Sequence, residues 1–88
     1  MVKYKFAENR SIFVGKLGLL SIDDLGYYFS SYGIVTRIIA PKKRGFAYVE
    51  FESSQAMLEA TECQYHFIRG FNDKLLVSFV QNLNIISI

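Results

Sequence analysis

Arg44-Gly45-Phe46-Ala47-Tyr48-Val49-Glu50-Phe51 is the stretch on which the fold turns. Its positions alternate with a period of two, as in a strand that has one face in a core and one outside it. Ala47, Val49 and Phe51 fall on one side, Phe46, Tyr48 and Glu50 on the other. Pro41-Lys42-Lys43 just upstream is a turn signal, and the β-branched run from Ile34 to Ala40 precedes it. The two runs read as a hairpin with a short basic loop.

Further upstream, Ser11-Ile12-Phe13-Val14-Gly15 is another β-rich run, preceded by polar Glu8-Asn9-Arg10 and closed by Gly15 and Gly18. Ser21-Ile22-Asp23-Asp24 then supplies a serine N-cap with an acid three residues on, followed by Leu25, Tyr28, Phe29 and Tyr32 at helical spacing. This predicts an amphipathic helix stopped by Gly33 as its C-terminal cap. Asp23 and Asp24 are explained as charge at the helix start. Gly26 inside the helix costs about 1 kcal/mol relative to alanine, so either a close packing contact or a weaker helix is expected there. Ser53-Ser54-Gln55 caps a second helix whose inner face holds Met57 and Ala60, with Glu59 and Glu62 outside. After the turn-rich Arg69-Gly70-Phe71-Asn72-Asp73, Leu75 to Val80 reads as a fourth strand. The order β-α-β-β-α-β predicts an α+β, ferredoxin-like sandwich: a four-stranded antiparallel sheet with two helices on one face. Residues 10–80 form the expected domain, after an N-terminal extension at 1–9 and before an apolar tail at 81–88. The tail, with Leu83, Ile85, Ile86 and Ile88, is expected to fold back over the sheet, to pack on a partner, or to begin a segment of a longer protein.

Helices on one side only leave the other side of the sheet uncovered. Parity then buries Ile12 and Val14 and turns Phe13 and Gly15 outward, beside Phe46 and Tyr48. The opposite parity would sink those three rings but expose Val14, Val49 and Phe51, a worse exchange. Three outward rings on adjacent strands make a contiguous patch of the kind that marks a binding site. Unstacked bases of single-stranded nucleic acid have apolar faces, and a ring lying on a sheet replaces a lost base neighbour at about 1 to 3 kcal/mol per base.

Residues 44–51 resemble the RNP1 octapeptide of the RNA recognition motif, with Tyr48 where the pattern has phenylalanine. Ile12-Phe13-Val14-Gly15-Lys16-Leu17 is similar to the family's RNP2 hexapeptide, Lys16 standing where asparagine is common. The resemblance extends over residues 10–80, and among subfamilies it is greatest to heterogeneous nuclear ribonucleoprotein-type domains with a short loop between the second and third strands. It implies that Phe13 and Tyr48 stack on successive bases, that Phe46 inserts between two sugars, and that Arg44 pairs with the phosphate between them. Gly15 and Gly45 would allow close approach, and Lys16, Lys42, Lys43 and Arg37 would add attraction that weakens with salt. The implied activity is non-catalytic binding of single-stranded RNA over about two to four nucleotides, in RNA processing, in the nucleus with the cytoplasm as a further compartment. Single-stranded DNA stays open as a partner. No cofactor or metal is implied.

Composition narrows the alternatives. Eighty-eight residues, 51% hydrophobic with one proline, make one folded domain. No apolar run nears the roughly 18 residues of a membrane span, and the start lacks the apolar core of a secretory leader, so the chain reads as intracellular with no membrane partner. Residues 1–48 carry eight Lys/Arg against three acids and residues 49–88 two against five, a polarity suited to an anionic ligand. One cysteine and one histidine leave little for a catalytic or metal constellation. Cys63 reads as a buried filler and His66 as a surface ring. Gly15-Lys16-Leu17-Gly18 faintly echoes the anion loop of acylphosphatase-type enzymes, but no matching asparagine follows, and no enzyme is expected. The main alternative is a protein-binding variant of the fold, the U2AF homology motif, gripping a peptide through Arg69-Gly70-Phe71. Arg69, Phe71 or the tail from Leu83 to Ile88 would then meet the protein partner.

Overall fold

Period-two alternation sets the strands of this chain and serine caps set its helices. A computed structural model describes residues 3–5, 8–41, 44–71, 73–80 and 85–87. In chain order the elements are β1 (Lys3–Lys5), a 3-10 turn (Glu8–Arg10), β2 (Ser11–Gly15), α1 (Ile22–Phe29), β3 (Val35–Ile39), β4 (Phe46–Phe51), α2 (Ser54–Thr61), β5 (Tyr65–Phe67), β6 (Lys74–Phe79) and β7 (Ile85–Ser87). From β2 to β6 this is the expected ferredoxin-like order with β5 added. The sheet runs β3-β4-β2-β6-β5, all pairs antiparallel. β1 and β7 pair with each other, Tyr4 opposite Ile86, in a separate two-stranded ribbon. Of the tail, residues 81–84 and 88 lie outside the described residues.

The helix-covered side of the sheet is the core. Ile12, Val14, Ala47, Val49, Phe51, Leu75 and Val77 meet Leu25 and Phe29 of α1 and Ala56, Met57 and Ala60 of α2. Each large side chain buried there contributes about 1.5 to 3 kcal/mol. α1 begins with a reciprocal capping box: the Asp24 N–H donates to Ser21 Oγ at 3.1 Å and the Ser21 N–H to Asp24 Oδ2 at 3.0 Å. Ser53 caps α2, its Oγ accepting from the Ala56 N–H at 3.3 Å.

Gly33 departs from expectation, and Gly26 follows the weaker-helix alternative. α1 ends at Phe29 with right-handed Ser30 as its C-cap, short of Gly33, and the positive-φ glycines are Gly18, Gly45 and Gly70. Gly33 is required for space instead: a Cβ there would lie 2.6 Å from Ala56 Cβ, at the start of α2. A Cβ on Gly26 would meet Ile38 Cδ1 at 3.5 Å, ordinary contact, so this glycine only weakens its helix. Gly26→Ala is therefore expected to raise stability by up to about 1 kcal/mol. Gly33→Ala should lower it by about 1 to 3 kcal/mol through overpacking. Urea denaturation of the two variants checks both signs, and a Gly33→Ala protein as stable as the parent would remove the packing argument.

The assignments of Cys63 and His66 are reversed in the fold. Cys63 is exposed just beyond the end of α2, whereas His66 is 4% exposed on the core side of β5. Its ring lies edge-on to Tyr28 and near Phe29 and Tyr32. His66 Nε2 is 2.8 Å from the Ala60 carbonyl, which can only accept, so Nε2 carries the proton. In the neutral ring Nδ1 then accepts from the Tyr28 hydroxyl at 2.7 Å. Burial pushes the Tyr28 phenol up to about 12. This polar knot, with the pairing of His66 opposite Leu75, holds the added strand in place.

Candidate nucleic-acid interface

Register decides which side chains meet on the helix-free side. β2 and β4 pair with Phe13 opposite Tyr48 and Gly15 opposite Phe46, so all three rings share that side. Their centroids lie 5.6 Å apart for Phe13 and Phe46, nearly parallel at 27°, and 5.6 Å for Phe13 and Tyr48 at 71°. Phe46 and Tyr48 stand edge to face at 5.8 Å. The rings are half-buried rather than bare, because buried Ile39 and Val80 pack with Phe13 and Tyr48 as a second small cluster. That burial raises the Tyr48 phenol above its ordinary value. Packed against one another, the rings form a contiguous patch.

The glycines around it have distinct reasons to be glycine. A Cβ on Gly15 would come within 3.1 Å of Phe13 Cε2, so the bare position seats that ring across the strand. Gly45 has φ +74 with open space around it, a conformation that side chains resist. Its carbonyl accepts from the Leu17 N–H at 3.1 Å, tying the end of β2 to the turn before β4. Lys16, exposed at that tie, holds φ +63, and Arg44 is exposed in the turn closed by its N–H to the Pro41 carbonyl at 3.3 Å. Both cations thus stand at the Phe46 end of the platform.

Arg37 shares the ring side but stands at its other end, past Tyr48. It sits opposite Glu50 on edge strand β3, its Nη2 3.2 Å from Glu50 Oε1. Its charge is matched by that carboxylate within the sheet. Lys42 and Lys43 lie outside the described residues. In the Arg69-Gly70-Phe71 turn, Gly70 has φ +85 and Phe71 turns inward, against the core cluster and over Gly18. Arg69 stands at the rim of a cleft of about 510 Å³ shared with Asp24, Tyr27 and Tyr28. The Phe71 ring is partly buried against the core cluster, while Arg69 is exposed.

Four residues on the ring side were given no binding role from the sequence: Tyr65 and Phe67 of β5, and Lys74 and Leu76 of β6. Tyr65-His66-Phe67 does alternate, but over too few positions for periodicity to register. Among the described residues, no three His, Cys, Asp or Glu side chains gather as a metal site, and no helix is long and apolar enough to cross a membrane.

A β-α-β-β-α-β sandwich with rings facing out from its two adjacent inner strands is the architecture of a single-strand nucleic-acid platform. The profile of the RNA recognition motif matches residues 12–74, and the chain belongs to that family. It is 32% identical over 53 residues to the cytotoxic granule-associated RNA binding protein tiar-1 of Caenorhabditis elegans, covering 60% of this chain and 13% of that protein. It is 47% identical over 53 residues to RbpE of Nostoc sp., named for RNA binding, covering 52% of this chain and 54% of that one. The chain thus spans at most about half the length of these relatives. Among solved structures it is similar to the RNA binding domain of Hrp1 in complex with RNA, with 27% identity, a TM-score of 0.69, and coverage of 84% of this chain and 47% of that one. The Nab3 RRM, described in recognition of cis elements of non-polyadenylated RNAs, also has 27% identity and a TM-score of 0.69, covering 85% of this chain and 99% of that one.

Proposed function

We propose that this chain binds short single-stranded RNA without catalysis, in RNA processing and in the nucleus, through a domain spanning residues 10–80. The observation that carries this reading is the cluster of Phe13, Phe46 and Tyr48 on the helix-free side, each ring within 6 Å of the others. Phe13 and Tyr48 stack on two bases, Phe46 contacts the sugars, and Arg44 and Lys16 meet phosphate at the adjoining end. Lys42 and Lys43 add charge, with Arg37 contributing only in exchange for its bond to Glu50. RNA-binding relatives and a neighbour solved with RNA support the ligand class.

An amide chemical-shift titration with mixed short oligonucleotides tests it. Shifts should centre on Phe13, Phe46 and Tyr48, and parallel ribo and deoxyribo series decide between RNA and single-stranded DNA. A tryptophan-bearing peptide that alone shifts Arg69 and Phe71 would overturn the reading in favour of protein binding. Lys42→Ala and Lys43→Ala should each reduce the salt dependence of affinity, by about one in the log-log slope, with base preference retained.

A further inference from the structure

We infer that the added strand β5 extends the nucleic-acid track past the three rings, with Tyr65 stacking a further base, Phe67 flanking it and Lys74 meeting its phosphate. The inference rests on the proposed RNA-binding reading. Its ground is register. Phe46, Gly15, Leu76 and Tyr65 stand directly opposite one another across β4, β2, β6 and β5, so they form one transverse row on the ring side. The row is continuous. The Phe13 ring covers Gly15, and Leu76 Cβ is 3.8 Å from where a Gly15 Cβ would be. Tyr65 follows, and Phe67 lies two residues along the same strand face, opposite Lys74. From Phe46 to Tyr65 is three strand spacings, on the order of 14 Å.

These side chains are available to a ligand. Tyr65 is 41% and Phe67 71% exposed, although both belong to a residue type that folding buries when it can. Lys74 Nζ lies 4.2 Å from the Tyr65 centroid, a cation resting on a ring face. The nearest acid in sequence, Asp73, is engaged with the Lys74 N–H at 2.8 Å. A ring beside a cation, in line with a ring platform, suits the next nucleotide of the same strand better than an apolar partner, which would leave the Lys74 ammonium buried without a counter-charge.

The test compares oligonucleotides of about four and about eight nucleotides on the parent and on Tyr65→Ala, Phe67→Ala and Lys74→Gln. The parent should bind the longer one at least about tenfold more tightly than the added register count explains. Tyr65→Ala should remove about 5- to 150-fold of affinity for the longer oligonucleotide and leave the shorter one unchanged. Lys74→Gln should lower the salt slope for the longer one by about one. Amide spectra check that each variant stays folded, which the exposure of Tyr65 and Phe67 favours. Equal binding of the longer oligonucleotide by parent and Tyr65→Ala, with Phe13→Ala weakening both lengths, would overturn the extension and leave the ring platform standing. Loss of neither length in Phe13→Ala would remove the platform itself.

Discussion

Alanine at Tyr48 or at Phe46 is expected to weaken binding of short single-stranded RNA by about 1 to 3 kcal/mol each, roughly 5- to 150-fold in Kd, with the fold intact. Both rings lie on the helix-free side and are half-buried, so their removal opens no cavity beneath the helices. Tyr48→Phe separates the ring from its hydroxyl: retained affinity identifies stacking as the source, and a loss equal to that of alanine shifts it to the phenol. Because Phe46 and Tyr48 are 5.8 Å apart, the double alanine variant should lose less than the two single losses together. Titration by fluorescence anisotropy reads all of these. Affinities unchanged in both single variants would end the assignment of this face.

What the sequence discloses here follows from how local each cause is. Period-two alternation fixes the face of every residue in a strand, which is why Phe13, Phe46 and Tyr48 were identifiable as outward before any coordinates. Ser21 and Ser53 announce helix starts because a cap and its helix are neighbours in the chain. The end of α1 was not legible. Gly33 looks like a C-cap, yet its reason is Ala56, twenty-three residues on and 2.6 Å from an added Cβ. His66 and Cys63 exchange places for the same cause: the burial of a lone polar residue depends on which rings arrive from elsewhere, and Tyr28, Phe29 and Tyr32 come from α1. β5 is too short to show a period, so the extension of the ring row to Tyr65 needed the pairing of Tyr65 with Leu76. Arg37 could be read as a cation but not as one already facing Glu50, since that pair joins two strands.

Phe51 shares β4 with Phe46 and differs from it only in parity. It is fully buried, opposite Val35 in the sheet and edge to face with Phe29 of α1 at 6.4 Å and 75°. Phe51→Ala is therefore expected to cost about 3 to 5 kcal/mol, from lost transfer energy and the cavity left under α1. A small domain holds only about 5 to 15 kcal/mol in total, so this variant should be partly unfolded at modest temperature. Its effect on RNA should be indirect: once Kd is corrected for the folded fraction, affinity returns close to that of the parent, because Phe51 points away from the rings. Phe46→Ala should show the inverse, a small shift of the urea midpoint with a large loss of affinity. The two substitutions remove the same side chain from the same strand, and only the pleat decides which property is lost. Similar stability losses at both positions would mean that the two sides of β4 are both core, and the platform would have no free face on which to receive a base.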